Sequence, residues 1–126
     1  MKNLTIVLED KPGVLAKLGE TLGNSGVNIE GISGTLCMGR GVIHVLVKDY
    51  VIARIALEDA DIEIQEERDV IIWDMVEKNL VGKPGALGEI CKRFSVAGVN
   101  INLLYFAENN RTIIGVDDLE KAKSII

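Results

Sequence analysis

Two segments of the chain combine a Pro-Gly pair with a later asparagine, a combination suited to binding a small charged molecule. In the first segment Pro12 and Gly13 begin a helical pattern, and unpaired backbone N–H groups at a helix N-terminus can bind a carboxylate. Gly13 and Val14 supply these N–H groups, and a glycine lets a ligand approach the backbone closely. Asn28 follows the helical pattern and carries both a hydrogen-bond donor and an acceptor. Asp10 can bind an ammonium group, so the chemistry suits a zwitterion.

The same arrangement occurs a second time. Lys83–Leu87 repeats Lys11–Leu15, and Gly98–Ile101 repeats Gly26–Ile29, with every matched residue displaced by 72 positions. A repeat without an internal gap indicates two copies of one structural unit. A purely structural interpretation stays open at this point, because Pro-Gly commonly starts a helix and Gly-Val-Asn commonly leads into a strand.

The elements around the first segment are predicted from hydrophobic patterning. Residues 3–8 alternate and include β-branched side chains, which indicates a strand. Pro12 suits a first helical turn, and Leu15, Leu18 and Leu22 follow at helical spacing. The remaining predicted elements are a strand that starts at Val27-Asn28, a glycine turn at 38–41, a strand at 42–47, a helix from 48 with Val51, Ile52, Ile55 and Ala56 on one side, and a strand at 61–67.

Residues 1–68 therefore have the order β-α-β-β-α-β, which is the order of a ferredoxin-like antiparallel sheet with two helices on one face. Residues 69–126 repeat this order up to a second helix, which Asp117 or Asp118 would cap. We predict an α+β fold of two tandem modules, 1–68 and 69–126. The second is expected to lack its last strand, so that its first strand exposes an edge.

Composition excludes several classes of protein. The chain has 126 residues, 48% of them hydrophobic, and so is expected to be globular. The net charge of −5 argues against nucleic-acid binding and against a basic membrane-binding patch. The sequence shows neither a leader pattern nor a long apolar run, so we expect a cytoplasmic protein without a membrane partner. Cys37 and Cys91 are expected to be small core thiols.

The residues that catalysis would need are not suitably spaced. His44 is the only histidine and lies in an apolar strand, which favours a packed side chain over a catalytic one. The acidic run at 63–69 is typical of a solvated surface. Trp73 and the pair Tyr105-Phe106 are expected in a core or an interface. We predict no enzyme activity, no cofactor and no metal.

At the repeated residues the chain resembles the ACT-domain family. The family signature is a strand, an acidic or polar residue, x-Pro-Gly-x-Leu, a helix and Gly-x-Asn-Ile, and it is present at 9–29 and again at 83–101. The resemblance covers nearly the whole chain as two tandem modules. It implies ferredoxin-like regulatory modules that bind small ligands, commonly amino acids, at interfaces between paired modules.

The resemblance also implies which residues contact a ligand. They are the residue two before the proline, the amides after it, and the asparagine with its following residue. The implied positions are Asp10, Gly13, Val14, Asn28 and Ile29 in the first module, and Gly85, Ala86, Asn100 and Ile101 in the second. Gly82 stands where the first module has Asp10, so the second site lacks that side chain.

Two functions remain open from the sequence. In the first, the protein is a sensor that binds an amino acid between modules and modulates a separate enzyme of amino-acid metabolism. In the second, it is a ligand-free adaptor that oligomerises or joins a partner enzyme through its open strand edge. Asp10 and Asn28 favour the sensor. In both cases we expect a homo-oligomer, most simply a homodimer.

Overall fold

The structure is a computed structural model that describes residues 1–126. Contacts between residues divide the chain into two compact units, Met1–Asp69 and Val70–Ile126. The first contains strands and helices in the order β1 (Lys2–Glu9), α1 (Val14–Asn24), β2 (Gly31–Cys37), β3 (Arg40–Val47), α2 (Tyr50–Asp59) and β4 (Ile64–Asp69). The second contains β5 (Ile71–Asp74), α3 (Ala86–Val96), β6 (Ile101–Ala107), β7 (Arg111–Val116) and α4 (Leu119–Lys123).

The first unit has the β-α-β-β-α-β order of a ferredoxin-like fold, and the predicted α+β class is confirmed. Its sheet order is β4-β1-β3-β2, with β1 antiparallel to both β3 and β4, and β2 antiparallel to β3. The β2–β3 hairpin turns at Met38 and Gly39, which both have positive φ, as a two-residue turn between twisted strands requires.

The core of the first unit lies between one face of the sheet and the helices. Leu4 and Ile6 alternate along β1 with polar neighbours and are fully buried. Leu18 and Leu22 stand one turn apart on α1 and are fully buried against the same cluster. Each such side chain contributes about 1.5–3 kcal/mol relative to an exposed one, so this face fixes the position of α1 on the sheet.

The predicted apolar face of α2 is wrong. Val51, Ile52 and Ile55 are about half exposed, whereas Ala53 and Leu57 are fully buried in the core. Because α2 carries aliphatic residues around most of its circumference, hydrophobic spacing alone does not determine which side faces the sheet.

The second unit has a separate core beneath α3. Ile90 and Phe94 of α3 pack with Trp73 of β5, which is buried as predicted. The strand order is β6-β7-β5, so β5 pairs only with β7 and forms an edge within this unit. α4 begins at a true cap, since the Asp118 carboxylate accepts the backbone N–H of Lys121 at 3.1 Å.

The two cysteines differ in their surroundings. Cys37 is exposed at the end of β2, so the prediction of a core thiol is wrong at this position, while Cys91 is partly buried against the second core. None of the helices combines the length and the apolar character that crossing a bilayer requires.

The opposite face of the first sheet carries a buried polar row of Asn3, Thr5 and His44. The His44 Nδ1 atom lies 3.1 Å from the Thr5 hydroxyl and 3.4 Å from the Asn3 amide nitrogen. Burial lowers the pKa of His44, and nearby Arg68 lowers it further, whereas Glu66 acts in the opposite direction. The histidine is therefore hydrogen-bonded within the sheet, as the sequence predicts.

The lowered pKa of His44 predicts how stability depends on pH. Between the folded pKa and the unfolded value of about 6.5, the unfolded chain binds a proton that the folded chain does not. The free energy of unfolding should therefore fall as pH falls from above 6.5 through the folded pKa. Urea unfolding between pH 7.5 and 5.5 measures how steeply the free energy of unfolding changes with pH, and this change should be clearly smaller in His44→Gln. An equal change in the variant would rule out His44 as the cause of the pH dependence.

Candidate functional site

Both Pro-Gly loops have the same backbone conformation. Gly13 precedes α1 with φ 92° and ψ −20°, and Gly85 precedes α3 with φ 85° and ψ −6°. Both residues occupy the N-cap position, and neither helix start has a side-chain cap. This left-handed region strains residues that carry a Cβ, so the conformation explains the glycine of each pair.

The start of α1 leaves backbone donors without acceptors. The Gly13 carbonyl accepts the N–H of Lys17 at 3.0 Å, but the N–H groups of Gly13 and Val14 have no partner in the structure. The first N–H groups of a helix carry the positive end of its dipole, so this loop can bind a carboxylate. At α3 one of the corresponding groups is used, because the Ala86 N–H donates to the Lys83 carbonyl at 3.4 Å.

A cavity of about 340 Å³ lies beside the first loop, at the lower end of the size range of small-molecule sites. It is enclosed by the loop after β1, the first turn of α1 and the end of the β2–β3 hairpin. Its lining residues are Leu8, Glu9, Asp10, Lys11, Val14, Leu15, Gly34, Thr35, Leu36, Gly41 and Ile43.

The strand register explains why a hollow exists there. Gly41 of β3 stands between Leu8 of β1 and Leu36 of β2 on the helix-facing side of the sheet. Gly34 stands opposite Ile43 on the same side, and a Cβ on Gly34 would lie 3.1 Å from the Ile43 Cδ1 atom. Each of these two neighbouring rows of paired residues therefore has a glycine where a side chain would stand, and a hollow lies beside the first turn of α1.

Asp10 is the carboxylate available to a ligand at this cavity. Glu9 is paired with Lys11 at 3.0 Å, and the hydrogen bond from Lys11 lowers the pKa of Glu9. Asp10 is exposed at the rim and has neither a hydrogen bond nor an ion pair in the structure. An ammonium group placed there would pair with Asp10 without displacing an existing partner.

Asn28 and Ile29 lie at the other end of α1. The helix has 11 residues, which at 1.5 Å per residue separates its ends by about 16 Å. Asn28 lies in the connection before β2, not at the start of the strand as predicted, and its amide donates to the Glu30 carboxylate. One unit therefore does not place Asn28 beside Asp10, and a small ligand that contacts both must take them from two different modules.

The second loop borders a different kind of cavity. Gly85 and Ala86 line a cavity of about 410 Å³ together with Met75, Leu80 and Phe106. Gly82 lines it at the position that corresponds to Asp10, and no carboxylate side chain is among the lining residues. Asn100 and Ile101 stand at the other end of α3, where the Asn100 N–H donates to the Asp117 carboxylate at 2.9 Å.

Three residues that line the first cavity were not predicted from the sequence. They are Gly34, Leu36 and Gly41. A signal for them was present in the turn at Met38 and Gly39. A two-residue turn at that position pairs Leu36 with Gly41 and Gly34 with Ile43, which places both glycines on the core side of the sheet.

Comparison with known families gives one match within the first unit. Residues 2–35 match the family model of the ACT domain, and this stretch contains all five candidate residues of the first site. This part of the chain is therefore similar to an ACT domain. The matched ACT stretch ends in β2, so it does not extend into the second unit.

Solved structures share the fold over almost the whole chain. A Bacteroides thetaiotaomicron protein is 28% identical with a TM-score of 0.81, over 98% of this chain and 84% of its own. The ligand-free regulatory subunit of aspartate kinase from Thermus thermophilus is 20% identical with a TM-score of 0.71, over 98% and 86%. The corresponding Thermus flavus subunit is 20% identical with a TM-score of 0.67, over 98% and 86%. No curated protein sequence matches significantly.

The left-handed glycine predicts opposite effects for two Gly→Ala substitutions near α1. Neither Gly13 nor Gly19 has an atom within 4 Å of an added Cβ, so only backbone conformation distinguishes them. Gly13→Ala should lower the free energy of unfolding by about 1–2 kcal/mol, because alanine is strained at positive φ. Gly19→Ala, inside the helix, should raise it by about 0.5–1 kcal/mol. Urea unfolding followed by circular dichroism measures both, and equal effects would contradict this conformation.

Proposed function

We propose that the protein is a regulatory amino-acid sensor. Its ligand binds between the Asp10–Val14 loop of one module and the Asn28–Ile29 connection of a neighbouring module. The observation that carries the proposal is the unpaired Asp10 carboxylate in the loop before an uncapped helix N-terminus. Asp10 and Val14 line the cavity of about 340 Å³, and Gly13 lines an adjacent cavity of about 500 Å³ that Val14 also borders.

These groups match the two charges of an amino acid. The ammonium group pairs with Asp10, and the carboxylate accepts the free N–H groups of Gly13 and Val14. Hydrogen bonds to charged groups are shorter and about twice as strong as neutral ones. The Asn28 amide supplies a further donor or acceptor once the neighbouring module is in place.

In a homodimer a second copy of the chain supplies the neighbouring module. We propose that residues 69–126 form a second ACT module in tandem with 1–68, supported by the shared left-handed glycine and by two helices of 11 residues each. Gly85, Ala86, Asn100 and Ile101 would be the corresponding ligand-binding residues of this second module, which lacks a counterpart of Asp10.

Regulation would follow from a ligand that joins two modules. Binding favours the arrangement in which both halves of the site meet, and a partner that recognises this arrangement is bound or released. The partner is proposed to be a separate enzyme of amino-acid metabolism in the cytoplasm, and the protein itself acts by binding without catalysis. The fold shared with aspartate kinase regulatory subunits supports such a role.

A second candidate function rests on β5. This strand pairs only with β7 in its unit, so its other edge offers backbone groups to an added strand. A protein that used this edge would act as an adaptor and would not need an amino acid.

Thermal unfolding in the presence of each of the twenty amino acids tests the sensor. An amino acid at 100 times its dissociation constant should add about 2.7 kcal/mol of stability, a rise of several degrees in the midpoint for a chain of this size. Asn28→Ala and Asp10→Asn should each abolish the rise.

Two matched variants serve as controls. Asn24→Ala and Asp59→Asn alter the same residue types at exposed positions away from the loop, and they should keep the full rise. If no amino acid raises the midpoint, the sensor function is wrong and the adaptor function takes its place.

A further inference from the structure

The cavity beside Asp10 has two chemically different sides. The loop side carries the charged residues Glu9, Asp10 and Lys11. The opposite side is aliphatic, and its side chains come from β1, α1, β2 and β3. They are Leu8, Val14, Leu15, Leu36 and Ile43.

Two of these aliphatic residues are exposed although they belong to a regular helix and a regular strand. Leu15 in the first turn of α1 is 51% exposed, and Leu36 near the end of β2 is 61% exposed. A single exposed leucine is ordinary on a protein surface. Here two leucines from different elements converge on one hollow whose floor is the buried Ile43, so together they form a continuous apolar wall.

We infer that the amino acid bound at this site has an aliphatic side chain of the size of valine, leucine or isoleucine. This inference rests on the proposed function and adds the ligand class. With the ammonium group at Asp10, the side chain extends over Gly41, where the sheet lacks a side chain, and contacts Leu15 and Leu36. Burying this apolar surface supplies the free energy that distinguishes one amino acid from another.

Other side chains fit this wall poorly. A polar side chain would find only the Thr35 hydroxyl as an uncharged side-chain partner, and a polar group buried without a hydrogen bond is costly. A second carboxylate would repel Asp10, because Lys11 is already paired with Glu9. A lysine side chain would place its charge against the leucines.

Isothermal titration calorimetry on the full chain tests this class. The probes are L-valine, L-leucine and L-isoleucine against L-serine, L-aspartate and L-lysine. The three aliphatic amino acids should bind at least tenfold more tightly than the other three.

Substitutions on the aliphatic side of the cavity test whether this cavity determines which amino acid binds. Leu36→Ser should weaken L-leucine binding at least tenfold, because the leucine contact is lost and the position is too exposed to affect folding strongly. Gly41→Ala places a methyl group in the hollow at an ordinary contact distance, 3.7 Å from the Leu8 carbonyl oxygen, and should weaken L-leucine more than the smaller L-valine. The matched control is Ile55→Ser, which removes an aliphatic side chain that is 53% exposed on α2 and should change affinity less than twofold.

The outcomes separate this inference from the proposed function. If L-serine, L-aspartate or L-lysine binds as tightly as the aliphatic probes, or if Leu36→Ser behaves like Ile55→Ser, the ligand class is wrong while amino-acid sensing stands. If none of the twenty amino acids binds, both are wrong.

Discussion

The positive φ at Gly13 is the constraint on which the candidate site depends. It turns the backbone after Pro12 so that α1 begins without a side-chain cap, which leaves the N–H groups of Gly13 and Val14 free. The buried leucines of α1 hold this helix start against the sheet. The same turn ends the loop that carries Asp10. One local conformation therefore provides both the free N–H groups that can bind an anion and a nearby carboxylate, that of Asp10, which can bind a cation.

The length of α1 determines how such a site can regulate. Because about 16 Å of helix lies between Gly13 and Asn28, a ligand the size of an amino acid cannot contact both within one unit. Ligand affinity and module association are then linked, and each must strengthen the other by the same factor. In the proposed sensor, a helix of 11 residues therefore makes ligand binding depend on the association of modules.

Local signals in the sequence predict much of the first unit, and the failures have physical causes. Pro-Gly, the spacing of the α1 leucines and the hairpin turn act within a few residues. The helix start and the buried Leu18 and Leu22 are found as predicted, whereas Leu15 on the same predicted face is half exposed. The turn predicted at 38–41 is formed by two residues, Met38 and Gly39. The face of α2 could not be predicted, because its choice of Leu57 depends on the shape of the sheet below. The cavity was missed because it requires two glycines, Gly34 and Gly41, from paired strands, and only the register brings them together.

Amide chemical shifts of the ¹⁵N-labelled protein show whether an amino acid reaches the backbone groups of the Pro-Gly loop. The protein is titrated to saturation with the amino acid that stabilises it most. A ligand bound as proposed gives the largest shifts at the amides of Gly13 and Val14, accompanied by shifts at Asn28. Saturation that leaves the Gly13 and Val14 amides unchanged, with the large shifts elsewhere, would contradict this binding mode.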